Sequence, residues 1–126
     1  MKKITLEILK KALEKSWSAE TSSDPSNWTS ENPAWGQCAV TALIIQDCFW
    51  GDLLRAAIEG IGSHYWNQLP DGSEIDLTKI QFLTAVVIPP GETRTREYVL
   101  SYPATAKRYE LLKRRVKNFL EKRGVE

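Results

Sequence analysis

Cys38, His64 and Asp76 are the residues of this sequence whose types and order suit acyl transfer. A thiolate attacks a carbonyl carbon, an imidazole moves the proton, and a carboxylate fixes the imidazole tautomer and stabilises the imidazolium. The chain has one histidine, so any imidazole partner of Cys38 must be His64. Cys38 lies in the run Trp35-Gly36-Gln37-Cys38-Ala39-Val40, at the predicted start of a helix. A helix N-terminus presents free N–H groups and about half a positive charge, which favours a thiolate there. The Cys38 N–H is the first expected donor to a tetrahedral oxyanion. Gln37, Trp35 and Trp28 are the candidates for a second donor or for substrate contacts. Gly36 is expected to let a substrate approach the backbone closely.

The elements that must position these groups are legible as patterns. Leu6, Leu9, Leu13 and Trp17 recur at helical spacing, predicting an amphipathic helix from Thr5 to Trp17. Ser18 to Pro33 is a long polar connection, of the kind that often serves as a lid or binding loop. Gly36 to Phe49 is apolar nearly all round, predicting a central buried helix that ends at Gly51. Leu53 to Ile61 reads as a strand. Ser63 to Leu69 and Glu74 to Leu77 flank Pro70-Asp71-Gly72, predicting a hairpin that brings His64 and Asp76 onto one face with Trp66 and Glu74. In that register Asp76 is a diagonal neighbour of His64. Thr78 caps a short helical turn through Phe82. Ala85 to Ile88 reads as a short strand or an extended run and Tyr98 to Leu100 as a short strand, with a polar segment at Glu92 to Glu97 between them. Ala104 to Arg123 forms a basic amphipathic helix. The expected fold class is α+β, helices packed on a small antiparallel sheet, in a single domain over residues 1–126.

Composition narrows the function classes. The chain is 42% hydrophobic and 26% charged, with a net charge of +1. That balance provides no broad field for nucleic acid. No apolar run is long enough for a bilayer, and lysines interrupt the N-terminal segment where a signal peptide would need an apolar stretch. The expectation is a cytoplasmic protein that engages neither nucleic acid nor membrane. Cys38 and Cys48 fall ten positions apart on one predicted helix, too far for a bridge within it. Two distant cysteines and one histidine do not make a structural zinc site. No metal and no cofactor are expected.

Gly36-Gln37-Cys38 resembles the GQC that opens the catalytic helix of transglutaminase-like enzymes. His64-Tyr65-Trp66-Asn67, Asp71-Gly72 and Asp76-Leu77-Thr78 resemble the later pattern of that family. A tryptophan usually follows the cysteine there, whereas this chain has Ala39. Over almost its whole length the chain also resembles the uncharacterised bacterial YunG-like proteins, through Asn32 to Thr41, His64 to Asn67 and Leu100-Ser101-Tyr102-Pro103. The transglutaminase and papain-like resemblance implies a papain-like core with Cys38 as nucleophile, His64 as base and Asp76 as orienting carboxylate. The expected function is a cysteine-dependent hydrolase or acyltransferase acting on an amide, ester or thioester carbonyl of a protein or small-molecule substrate. The alternative is a non-catalytic interaction module that keeps the fold, with the basic C-terminal helix or the Ser18 to Pro33 loop as its partner surface. Plainer readings stand beside these: Cys48 is a core residue, Asp76 caps a turn, and Trp28, Trp35 and Trp66 are packing groups.

Overall fold

Thr5 starts the first helix by accepting the Ile8 N–H on its hydroxyl at 3.2 Å. Helix α1 (Leu6–Ser16) then buries Leu9, Ala12, Leu13 and Ser16, one stripe at helical spacing. Trp17 leaves the helix with an extended backbone and donates its indole N–H to Thr41 Oγ1 at 3.0 Å. That bond ties α1 to α2 (Cys38–Phe49), where Val40 to Ile45 are all buried. The sequence predicts Gly51 as the stop. The helix in fact turns one residue earlier, at Trp50 (φ 67°), with Gly51 (φ 85°) continuing the left-handed excursion.

The computed structural model describes residues 2–125 and has an α+β architecture. Strands β1 (Asp52–Ile58), β2 (Gly62–Gln68), β3 (Glu74–Ile75) and β4 (Glu92–Arg94) form an antiparallel sheet in the order β3-β2-β1-β4. Helices α3 (Arg96–Leu100) and α4 (Pro103–Lys122) complete the chain. Helix α2 packs on β2, where Asn67 donates its side-chain amide to Ala42 O at 2.9 Å. On its other side α4 contributes Tyr109, Leu112, Val116 and Leu120. A second, small apolar cluster of Leu54, Ala56 and Trp66 is joined by Ile88.

The predicted hairpin is present. Leu69 N–H donates to Ser73 O (2.7 Å), and the Asp71 carboxylate accepts both the N–H and the hydroxyl of Ser73. Of the two forms expected for Ala85 to Ile88, the strand is not the one it takes. Two expectations differ. Glu92–Arg94, read as a polar connection, is a strand, paired with Leu53 to Arg55. Gly91 sets this register by packing where a Cβ would lie 2.6 Å from Trp66 and 2.8 Å from Leu54 Cβ. Tyr98 to Leu100 belongs to α3, because Thr95 Oγ1 caps it by accepting the Tyr98 N–H (3.1 Å). Local alternation of apolar residues was a poor guide where a cap and a sheet edge decide the outcome.

Asn67 links α2 to β2 from a fully buried position. Asn67→Ala should lower unfolding free energy by about 1–3 kcal/mol, measured by urea denaturation.

Candidate active site

The approach to α2 is held from behind. Gln37 precedes the helix as its N-cap, but its side chain does not cap. It is fully buried, accepting from Thr21 Oγ1 (2.7 Å) and donating to Ser18 O (2.9 Å). Ser22 Oγ donates to Trp35 O (2.8 Å), and Ser23 N–H donates to Gly36 O (2.9 Å). Gly36 has φ 73°, and a Cβ there would lie 2.2 Å from Ser22 Oγ. Its close backbone approach is thus to the Ser22–Asp24 segment rather than to a substrate. The long polar connection is folded into 3₁₀ turns at Ala19–Thr21 and Pro25–Asn27, with Thr21 and Ser22 buried. It forms the bed on which the start of α2 rests.

Cys38 is the first residue of α2 and is half-buried. Its N–H has no acceptor within the helix, as for any residue in the first turn. His64 on β2 is 1% exposed, and its Nε2 meets Asp76 Oδ2 at 2.6 Å. Pairing of β2 with β3 ends at Asn67 and Ile75, so Asp76 lies just past the strand. There its other oxygen accepts from the Thr78 N–H (3.3 Å) and hydroxyl (3.4 Å). Thr78, expected as a cap, instead supports the carboxylate, and the 3₁₀ turn Lys79–Gln81 follows it. The His64 ring stacks on Trp66 at 5.6 Å and meets Phe82 edge-on at 5.0 Å. Trp66 is itself held by an indole bond to Glu74 (2.7 Å), so the four even-numbered residues do share one face.

Burial works against a charged ring at His64. The hydrogen bond and charge of Asp76, together with those of Cys38, outweigh it and raise the imidazole from 6.5 to about 9. Asp76 occupies Nε2, which leaves Nδ1 for the sulfur. Cys38 and His64 line one cleft of about 140 Å³, together with Asp24, Trp35, Gln81 and Phe82. The structure therefore brings thiol, imidazole and carboxylate together at the start of α2.

The three candidates for a second donor are engaged elsewhere. Trp28 gives its indole N–H to Pro33 O (2.9 Å), and Gln37 turns its amide into the 18–21 segment. Trp35 lines the cleft, but its N–H goes to Asp24 Oδ2 (3.1 Å). Bonds from Asn27 and then Trp35 hold the Asp24 carboxyl below the usual range. Gln81 was not singled out by sequence reasoning. It lies in a short turn, and no local pattern marks it; only its placement against Gly36 reveals it. Among the described residues, no group of three or more His, Cys, Asp or Glu side chains could hold a metal ion. Among the same residues no helix is long and apolar enough to cross a membrane.

Residues 5–121, which include the whole Cys38, His64 and Asp76 arrangement, match the family described as YunG protein. The chain belongs to the YunG family. A relative from Bacillus subtilis (strain 168), named "Uncharacterized protein YunG", is 40% identical over 77 residues. That alignment covers 61% of this chain and 63% of the relative, so the chain spans a little under two-thirds of the curated YunG protein it matches. No solved structure matches.

His64 is the sole histidine, so its ring signals in NMR are unambiguous. The titration midpoint should lie near pH 9 and fall in Asp76→Ala. Because the folded value exceeds the ordinary 6.5, the stabilisation is complete below about pH 6.5 and is lost as pH rises through about 9. The wild-type urea midpoint should accordingly drop over that window, and drop less in Asp76→Ala.

Proposed function

We propose that this YunG protein is a cysteine-dependent hydrolase or acyltransferase acting on an amide, ester or thioester carbonyl. The reading includes a core related to papain-like and transglutaminase-like enzymes, suggested by the GQC and later His and Asp motifs. The observation that carries it is that Cys38 and His64 share one cleft while Asp76 holds His64 Nε2 from behind. Cys38 Sγ attacks the carbonyl carbon and the carbonyl π pair moves to oxygen. His64 carries the thiol proton and delivers it to the leaving group as the tetrahedral intermediate collapses. Asp76 steadies the imidazolium throughout. Water or an amine, deprotonated by the same ring, then releases the acyl group from sulfur. The substrate is a protein or a small molecule.

A non-catalytic interaction module is the second reading, and one observation favours it. An apolar groove of about 420 Å³ runs between α2 and α4, lined by Ile44, Cys48, Val116, Leu120 and Val125 and remote from the cleft. The basic face of α4 is a weaker candidate surface, since Arg115 is already bonded to Ser16 O, Ser18 Oγ and Glu20. A biological effect that survives Cys38→Ala but is lost on charge reversal at Arg114 would favour the module.

The two cysteines provide an internal comparison. Burial, and then Asp47, push the Cys48 thiol up to about 11. At pH 7 iodoacetamide should modify Cys38 at least about tenfold faster than Cys48, read by peptide mass spectrometry. Asp76→Ala should slow the modification of Cys38 and leave Cys48 unchanged. Equal rates at the two sites in the wild type would count against an activated thiol.

A further inference from the structure

The Gln81 side chain is 5% exposed and sits against the backbone that leads into Cys38. Its Oε1 accepts the Gly36 N–H at 3.2 Å. That bond fixes which end of the amide is which, because only the oxygen can accept from an N–H. The NH₂ group therefore points away from Gly36. Among the described residues Nε2 is buried and has no hydrogen-bond partner. A buried donor without an acceptor is costly to keep. Arg108 Nε shares this condition, but Arg108 lines a different cavity, beside Glu20 and Lys107. Gln81 lines the cleft of Cys38 and His64.

The main chain of Gln81 is fixed as firmly as its amide. Its carbonyl accepts from Asn32 Nδ2 (2.9 Å), and its N–H donates to Thr78 O (2.9 Å). Thr78 in turn supports Asp76. One short turn thus touches the carboxylate at one end and the approach to the nucleophile at the other. The other cleft donor raised by the sequence, the Trp35 indole, is taken by Asp24.

We propose that Gln81 Nε2 is the second donor to the oxyanion that forms when Cys38 attacks a carbonyl, with the Cys38 N–H as the first. The assignment rests on the acyl-transfer reading above. As the C–S bond forms, the carbonyl π pair becomes a lone pair on oxygen, and that oxygen needs donors placed before the reaction begins. Collapse restores the C=O bond and expels the leaving group, and the two donors are released. Gly36 lies two residues before Cys38, so the amide is clamped to the same stretch of backbone that presents the first donor. A donor held this way is oriented before charge develops.

The test compares two reactions of one sulfur. Acylation by p-nitrophenyl acetate passes through an oxyanion, and its rate is the Cys38-dependent burst of nitrophenolate, defined by loss in Cys38→Ala. Alkylation by iodoacetamide displaces iodide at a saturated carbon and forms no oxyanion. The ratio of the two rates cancels changes in thiolate content. Gln81→Glu keeps an acceptor for the Gly36 N–H and removes the donor; Gln81→Leu removes the amide without adding charge. The ratio should fall about 100-fold in both. A ratio within about threefold of wild type in either folded variant overturns the assignment, and Gln81→Glu alone decides if the leucine variant fails to fold. A normal wild-type burst with unchanged variants sinks only the Gln81 role. Rapid alkylation of wild-type Cys38 with no burst sinks the acyl-transfer reading and the donor with it.

Discussion

The contact between His64 and Asp76 is the interaction on which the rest of the site depends. An imidazole this deeply enclosed would shed its proton if burial acted alone. A carboxylate at 2.6 Å reverses that outcome and leaves a ring that is charged at neutral pH. The reversal requires geometry from several places. The Pro70–Gly72 turn sets the register of β2 and β3, Thr78 steadies the second carboxylate oxygen, and Trp66 and Phe82 confine the ring. Removing the carboxylate would leave Cys38 as the remaining group that favours an ionised ring in an otherwise apolar slot.

The other half of the site is the entry to α2, and its supports come from polar rather than apolar contacts. Gln37, Thr21, Ser18 and Ser22 form a set of short hydrogen bonds behind Cys38. Arg115 on α4 reaches the same region through Ser16 O, Ser18 Oγ and Glu20. The helix start is therefore fixed against a polar bed, while the remainder of α2 is fixed by the apolar core. Gly36 is part of this arrangement because only a residue without a side chain fits against Ser22 at a positive φ.

Much of this was legible in the sequence, for identifiable reasons. Helices α1, α2 and α4 carry sustained apolar periodicity, and the β2–β3 hairpin carries strong turn chemistry, so their boundaries fall within a few residues of expectation. His64 and Asp76 could be paired by parity along the two strands, and Cys38 by its place at a helix start. The segment from Glu92 to Leu100 departs from its sequence pattern because its structure is decided by neighbours. Gly91 against Trp66 and Thr95 as a cap leave little trace in composition. The partners of the Gln37, Trp28 and Trp35 N–H groups were hidden for a similar reason. A side chain's type says that it can donate, and only its surroundings say to whom. Gln81 was invisible because what matters about it is a hydrogen bond to Gly36, 45 positions away.

The bonds that join Asn32 to Gln81 and Gly36 to Gln81 also fix when the Cys38 cleft can be completed as the protein is made. They span 49 and 45 residues, so neither can form until residue 81 has left the ribosome. Until then the cleft lacks one of its walls, although His64 and Asp76 have already been made. The nascent polypeptide accordingly acquires the complete cleft late, when distant segments dock.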